Sequence, residues 1–269
     1  MRLFFLALLL LTGIRGASQE LYVYTEPASN MAAKTIGFRL TNNFMRTAGT
    51  QQYKYVAAPE IMLGLSKSFM LHAETFLSNR NDGFKVDGGS LYLKYRFFSR
   101  DEVHSHFRMA AYMRGSYNNT HIHQPAIDMQ GMNSGVETGI IATKLQNKVA
   151  ISAGLSHLYA LDNSKGNKFY YGEDNRHAIA YTLSAGRLML PGEYTSYNQT
   201  NVNLMTELLG QTNIASGRTF VDIAPSVQFI IHSRMRVDLG YRFGLIRKLQ
   251  RTSEDGALVR MEYNIFNAF

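Results

Sequence analysis

Hydrophobic and polar residues alternate with a period of two through most of this chain. From Thr35 to Phe44, Ile36, Phe38, Leu40 and Phe44 fall on one face, and Thr35, Gly37, Arg39, Thr41 and Asn43 on the other. Successive side chains of a strand point to opposite faces, so this is strand periodicity, not helix periodicity. The pattern returns in Tyr55 to Ser66 and, after a tight Ser66-Lys67-Ser68 turn, in Phe69 to Asn79, which together read as a hairpin. Further strands are predicted over Ser90 to Phe98, Phe107 to Tyr117, Ser134 to Leu145, Val149 to Leu161, Ala178 to Leu190, Asn201 to Gly210, Thr219 to His232, Met235 to Lys248 and Ala257 to Phe269. That makes about twelve, the last running to the terminal residue.

Brief turns at Gln146-Asn147-Lys148 and His232-Ser233-Arg234 alternate with longer polar loops at Asn118 to Met132, Asp162 to Arg176 and Leu249 to Gly256. Short periplasmic turns and longer external loops are the asymmetry of outer-membrane barrels, although the Pro191 to Thr200 connection is longer than that scheme expects. The clearest segment is Met235 to Leu245. Its apolar face of Met235, Val237, Leu239, Tyr241, Phe243 and Leu245 opposes Arg236, Asp238, Gly240, Arg242 and Gly244. A soluble sandwich also alternates, but glycines, arginines and acids on the second face suit a polar barrel interior better than a solvated sheet. The prediction is therefore an all-β chain forming a closed antiparallel transmembrane β-barrel over residues 34–269, preceded by a periplasmic tail or plug at 19–33.

Composition fits this picture. Met1-Arg2 and the apolar run from Leu3 to Leu11 form a signal peptide, too short to span a bilayer as a helix. Cleavage after Ser18 would place small residues, Gly16 and Ser18, where a signal peptidase inspects them, so residues 1–18 are expected to be removed. Losing Arg2 and Arg15 with no acid lowers the formal net charge from +8 to +6. The remaining bases are scattered and lie near acids, unlike the basic stripe of a nucleic-acid binder, so no nucleic-acid partner is expected. There is no cysteine, hence no disulfide and no thiolate for metals or catalysis. A mean hydropathy of −0.18 suits a barrel, in which only every second strand residue faces lipid.

At the C-terminus Val259, Met261, Tyr263, Ile265 and Phe269 share one face, broken by Asn267, and the last residue is aromatic. Tyr263, Ile265 and Phe269 resemble the final-strand signal of Gram-negative outer-membrane proteins. That resemblance implies the barrel assembly machinery and outer-membrane lipid as partners, together with outer-membrane or periplasmic proteins. The hairpin text Glu60-Ile61-Met62-Leu63-Gly64-Leu65-Ser66-Lys67-Ser68-Phe69-Met70-Leu71 is similar to barrels of the phenol meta-pathway transporter type, which implies passive import of small molecules and brings no catalytic residues.

The inward face is predicted to collect Glu60, Glu74, Glu137, Glu207, Asp222, Asp238 and Glu262 beside Arg39, Lys94, Arg96, Arg108, Arg114, Arg236, Arg242 and Arg260. Buried charges must pair or stay wet, so these residues form either a salt-bridge network filling the lumen or a constriction that selects solutes. His121 and His123, with Met129 and Met132 nearby, make a candidate copper or zinc site; His104 and His106 belong to a separate turn. Ser156-His157 is adjacent and splits across the two faces, and Asp174 with His177 lacks a partner acid, so no enzyme is expected. Gly-rich phosphate loops and zinc spacings are absent, and no cofactor is expected. The reading is a porin-like barrel passing small solutes, with a non-conducting accessory barrel of an envelope complex and a His/Met metal-binding barrel as alternatives.

Overall fold

The computed structural model describes residues 22–49, 52–80, 83–102, 105–169, 172–192 and 198–269. The signal peptide, its cleavage point near Ser18 and His104 lie outside them. Twelve strands run in chain order: β1 (Thr35–Thr47), β2 (Tyr53–Gly64), β3 (Phe69–Ser78), β4 (Lys85–Glu102), β5 (Ser105–Asn118), β6 (Gly135–Gln146), β7 (Val149–Ala160), β8 (His177–Leu190), β9 (Asn201–Asn213), β10 (Thr219–Ile231), β11 (Met235–Arg247) and β12 (Ser253–Ile265). Each pairs antiparallel with its sequence neighbours, and β1 pairs with β12 through Phe38↔Tyr263 and Arg39↔Glu262, so the sheet closes on itself without a free edge. Closure leaves no edge strand with a row of unpaired backbone groups, as a bilayer interior requires.

The period-two pattern sets which side faces out. Phe38, Ile61, Leu91, Met113, Ile140, Ile151, Leu183, Leu204, Leu239 and Met261 are all exposed, giving the wall an apolar outer surface. Aromatic stacks mark both rims: Phe69 on Tyr95 (ring centroids 4.7 Å) and Phe98 against Phe107 (5.9 Å) at the short-turn end, and Phe44–Tyr55–Phe84 (5.1 and 5.7 Å) at the long-loop end. An apolar band between aromatic girdles is the exterior of a transmembrane barrel.

Three details differ from the sequence reading. β4 starts at Lys85, ahead of the expected start at Ser90, and runs through Gly88 and Gly89. A bulge in its pairing with β5 between Arg96 and Phe98 turns both Phe97 and Phe98 outward; the extra residue resets the alternation. The last strand ends at Ile265, not Phe269: Asn267 adopts a left-handed backbone (φ 54°) and the Ala268 amide donates to the Lys34 carbonyl (2.8 Å). Phe269 therefore lies beyond the strand and exposed, while Tyr263 and Ile265 sit on its lipid-facing side.

Candidate functional site: the barrel lumen

Two non-strand segments occupy the lumen. Residues 22–33 cross the bore in its short-turn half, the periplasmic side in the outer-membrane arrangement. Their contacts come from strands all round the wall. The carboxylate of Glu207 on β9 accepts from the amides of Val23 (2.8 Å), Tyr24 (2.9 Å) and Thr25 (2.9 Å) and from the Thr25 hydroxyl (2.7 Å). The Ala28 amide donates to Thr143 Oγ1 on β6 (2.9 Å). Lys94 on β4, fully buried, donates to the carbonyls of Pro27 (2.9 Å) and Ser29 (2.8 Å) and lies 3.5 Å from Glu26. Met31 packs on Met62 and Met70, so part of the inward face of β2 and β3 is apolar where it meets this segment.

The β5–β6 loop, residues 119–134, folds inward at the long-loop end. Gln211 on β9 holds Ile127 in both directions: its Oε1 accepts from the Ile127 amide and its Nε2 donates to the Ile127 carbonyl, each at 2.8 Å. Gln124 Oε1 accepts from the Thr252 amide (2.9 Å) and hydroxyl (3.0 Å), and Arg80 donates to the Gly131 carbonyl (2.7 Å). Between loop and N-terminal segment is a cavity of about 350 Å³. A larger concavity of about 1050 Å³, over Phe38, Ile61, Leu91 and Met261, opens on the lipid-facing wall.

The predicted lumen charges fall into separate groups. Arg39 Nε bonds Glu262 (2.9 Å) while its Nη1 bonds Glu26 (2.9 Å) and Glu60 (3.1 Å), and Glu60 also meets His72. Arg114 reaches Glu74 (3.0 Å) and lies 3.8 Å from Glu137 and over the Tyr92 ring; Glu137 further accepts from Tyr112 (2.7 Å) and Ser156 (2.9 Å). Asp238 pairs with Arg236 (3.1 Å), which also contacts Glu262 (3.2 Å). Arg242 and Arg251 share Asp222, Arg251 with both of its terminal nitrogens (2.5 and 2.6 Å). Arg108 stands apart at the short-turn end with Asp101 and Ser29 (3.0 Å each), and Arg96, nearby on β4, makes no ion pair among the described residues. Such multiple, hydrogen-bonded pairing is what lets ionised groups persist in a lumen with little water.

Sequence reasoning missed Arg251, Gln124 and Gln211, because a loop residue has no periodicity and a neutral amide no charge signal. It also missed Glu26, whose position in a lumen segment depends on chain tracing that alternation does not give. His121 and His123 are exposed with ring centroids 6.0 Å apart, whereas Met129 and Met132 are buried, Met129 among Ile122, Ile127 and Leu158. Among the described residues no group of three His, Asp or Glu side chains is placed to hold a metal. Burial, and then the neighbouring His121, lowers the pKa of His123.

This closed twelve-stranded sheet, apolar outside and charged within, has the fold of the Gram-negative outer-membrane β-barrels. Solved structures agree. An outer membrane channel from Pseudomonas putida F1 aligns with a TM-score of 0.57 at 11% identity, covering 91% of this chain and 100% of that one. The NanC porin aligns at 0.50 and 9% identity, covering 85% and 98%. At those identities the likeness is one of fold. No protein-family model and no curated protein matches the chain.

Proposed function

We propose that the protein sits in the outer membrane of a Gram-negative bacterium as a channel for small polar or amphipathic solutes. Passage is by diffusion, and the lumen arginines and acids, Arg39, Glu74, Arg114, Glu137, Asp238, Arg242 and Glu262 among them, set selectivity. What carries the reading is the cavity of about 350 Å³ held between two segments that belong to neither the wall nor its ladder. Both are fixed by side-chain hydrogen bonds that break without opening the sheet, so the bore widens while the barrel stays closed. The size suits small solutes, since ligand pockets begin at about 300 Å³. Tyr263, Ile265 and Phe269 serve, in the same proposal, as the signal read by the assembly machinery.

A second reading, a non-conducting accessory barrel, draws on the density of paired charges and on the segment filling the bore. Planar-bilayer recording separates the two. The full-length protein is expected to open in small, infrequent steps, and deletion of residues 22–33 to raise open probability and step size. Silence of both proteins would overturn the channel reading and leave the accessory one.

A further inference from the structure

Charge is distributed unevenly around the cavity. On the side formed by β1 to β6 every carboxylate is engaged: Glu26 and Glu60 by Arg39, Glu74 by Arg114, Glu137 by Tyr112 and Ser156. On the side formed by β10 to β12 and the loop between β11 and β12, the charged residues that line it are three guanidiniums, Arg242, Arg251 and Arg260, with no carboxylate among them. Asp222 takes both Arg242 and Arg251. Arg260, which also lines the cavity, has one polar contact among the described residues, from Nε to Thr41 Oγ1 at 3.0 Å. Asp238 lies opposite Arg260 in the strand register, but one of its oxygens is given to Arg236 and the other has no partner. The terminal nitrogens of Arg260 therefore donate to no described residue.

Three features beside this cation bear on its ligand. Tyr24 lines the same cavity, and its hydroxyl, packed against Gly240, is buried without a hydrogen-bond partner. The Phe220 ring lies under Arg251 (3.9 Å) and Arg242 (5.6 Å). Ile127 and Leu258 add apolar surface. A planar guanidinium with free terminal donors matches a carboxylate in a bidentate arrangement, a phenol supplies a further donor, and the apolar lining takes up a hydrocarbon body.

We propose that Arg260 and Tyr24 form a binding site for a small carboxylate carrying an apolar body, which would make such anions a favoured solute class. The proposal deepens the channel reading, in that the lumen is the ligand's route to the cavity. Arg242 and Arg251 supply the positive surround, and Asp222 keeps them from competing for the ligand.

Calorimetry on the purified full chain in detergent, with hexanoate as probe and hexanamide and hexylammonium as controls, tests it. Hexanoate is expected to bind saturably, one per chain, and each control at least about tenfold more weakly, as loss of a charge-assisted pair predicts. Arg260→Gln is expected to weaken hexanoate at least about tenfold and Tyr24→Phe about threefold or more. Heat-modifiable gel migration checks that each barrel is folded, and Tyr24→Phe, outside the barrel wall, keeps the test open if Arg260→Gln does not fold. Absence of saturable hexanoate binding to the parent, equal binding of hexanamide, or unchanged affinity in a folded Arg260→Gln would overturn the site. A protein that binds hexanoate but is silent in bilayers overturns the channel reading alone; one that conducts without binding overturns the site alone.

Discussion

Replacing Glu207 with alanine should release the N-terminal segment while leaving the barrel closed. In the parent its carboxylate accepts four hydrogen bonds from the segment, from three consecutive amides and one hydroxyl, at 2.7 to 2.9 Å. A hydrogen bond to a charged group contributes about 1.5–3 kcal/mol. These four share one acceptor and do not add, and water entering the bore satisfies part of what is lost. About 3–4 kcal/mol of docking free energy is then at stake, equivalent to about 10²- to 10³-fold in the docking equilibrium. The chain has no cysteine, so Ala28→Cys introduces a single thiol at a fully buried segment position. Maleimide labelling of that thiol reads the undocked fraction, because a locally opened state is the one that reacts. Labelling is expected to be slow in the Ala28→Cys parent, about two to three powers of ten faster with Glu207→Ala added, and intermediate with Glu207→Gln, which keeps an acceptor for Val23 and Tyr24. Heat-modifiable migration should change little. Equal labelling rates in the parent and the Glu207→Ala protein would refute the reasoning.

Four further outcomes are expected. Gln211→Ala removes both bonds to Ile127 and should speed limited proteolysis of residues 119–134 by about tenfold or more; unchanged cleavage would show that the loop is held elsewhere. Arg114→Ala strips Glu74 of its cation and should destabilise the barrel by about 3 kcal/mol or more, seen as unfolded gel migration at a lower temperature and partly reversed by adding Glu74→Gln. The Asp162 carboxyl is held below its ordinary value of 3.8 by the Phe169 amide and by Arg176. A depressed pKa stabilises the loop above 3.8 and the gain is lost as pH falls through the folded value, so pepsin should cut residues 161–169 faster in increasing acid relative to Asp162→Asn; parallel pH profiles of the two proteins would contradict this. Deleting Phe269 should lower the yield of assembled barrel in cells without slowing refolding into detergent, and an equal yield would remove its role in assembly.

The wall was legible in the sequence because a bilayer on one side and a charged bore on the other force every second residue to differ. That is why β1 and β11 could be read residue by residue. Gly88 and Gly89 hid the start of β4 because glycine is a loop signal. Here they lie within the strand because neighbouring backbone comes close: a Cβ at Gly88 would sit 2.0 Å from the Tyr117 carbonyl oxygen. The members of the lumen set were largely visible and their pairing was not. Arg39 and Glu262 are 223 residues apart in sequence and meet only because β1 closes on β12, and Glu207 finds its donors 182 to 184 residues away. Alternation specifies a face; only closure and chain tracing specify a partner.

The N-terminal segment runs directly into β1, with the Lys34 amide bonded to the Gly64 carbonyl and its own carbonyl to Ala268. It is therefore a tethered ligand of its own barrel. Once undocked it stays within a short chain length of its site, at an effective concentration of about millimolar or above. Re-docking is unimolecular, so occupancy of the bore does not depend on how densely the protein populates the membrane. A free peptide of the same sequence would have to reach about that concentration to compete. An occupant of the cavity escapes this limit when it binds elsewhere on the wall, since it shifts the docking balance by its own affinity instead of displacing the tether.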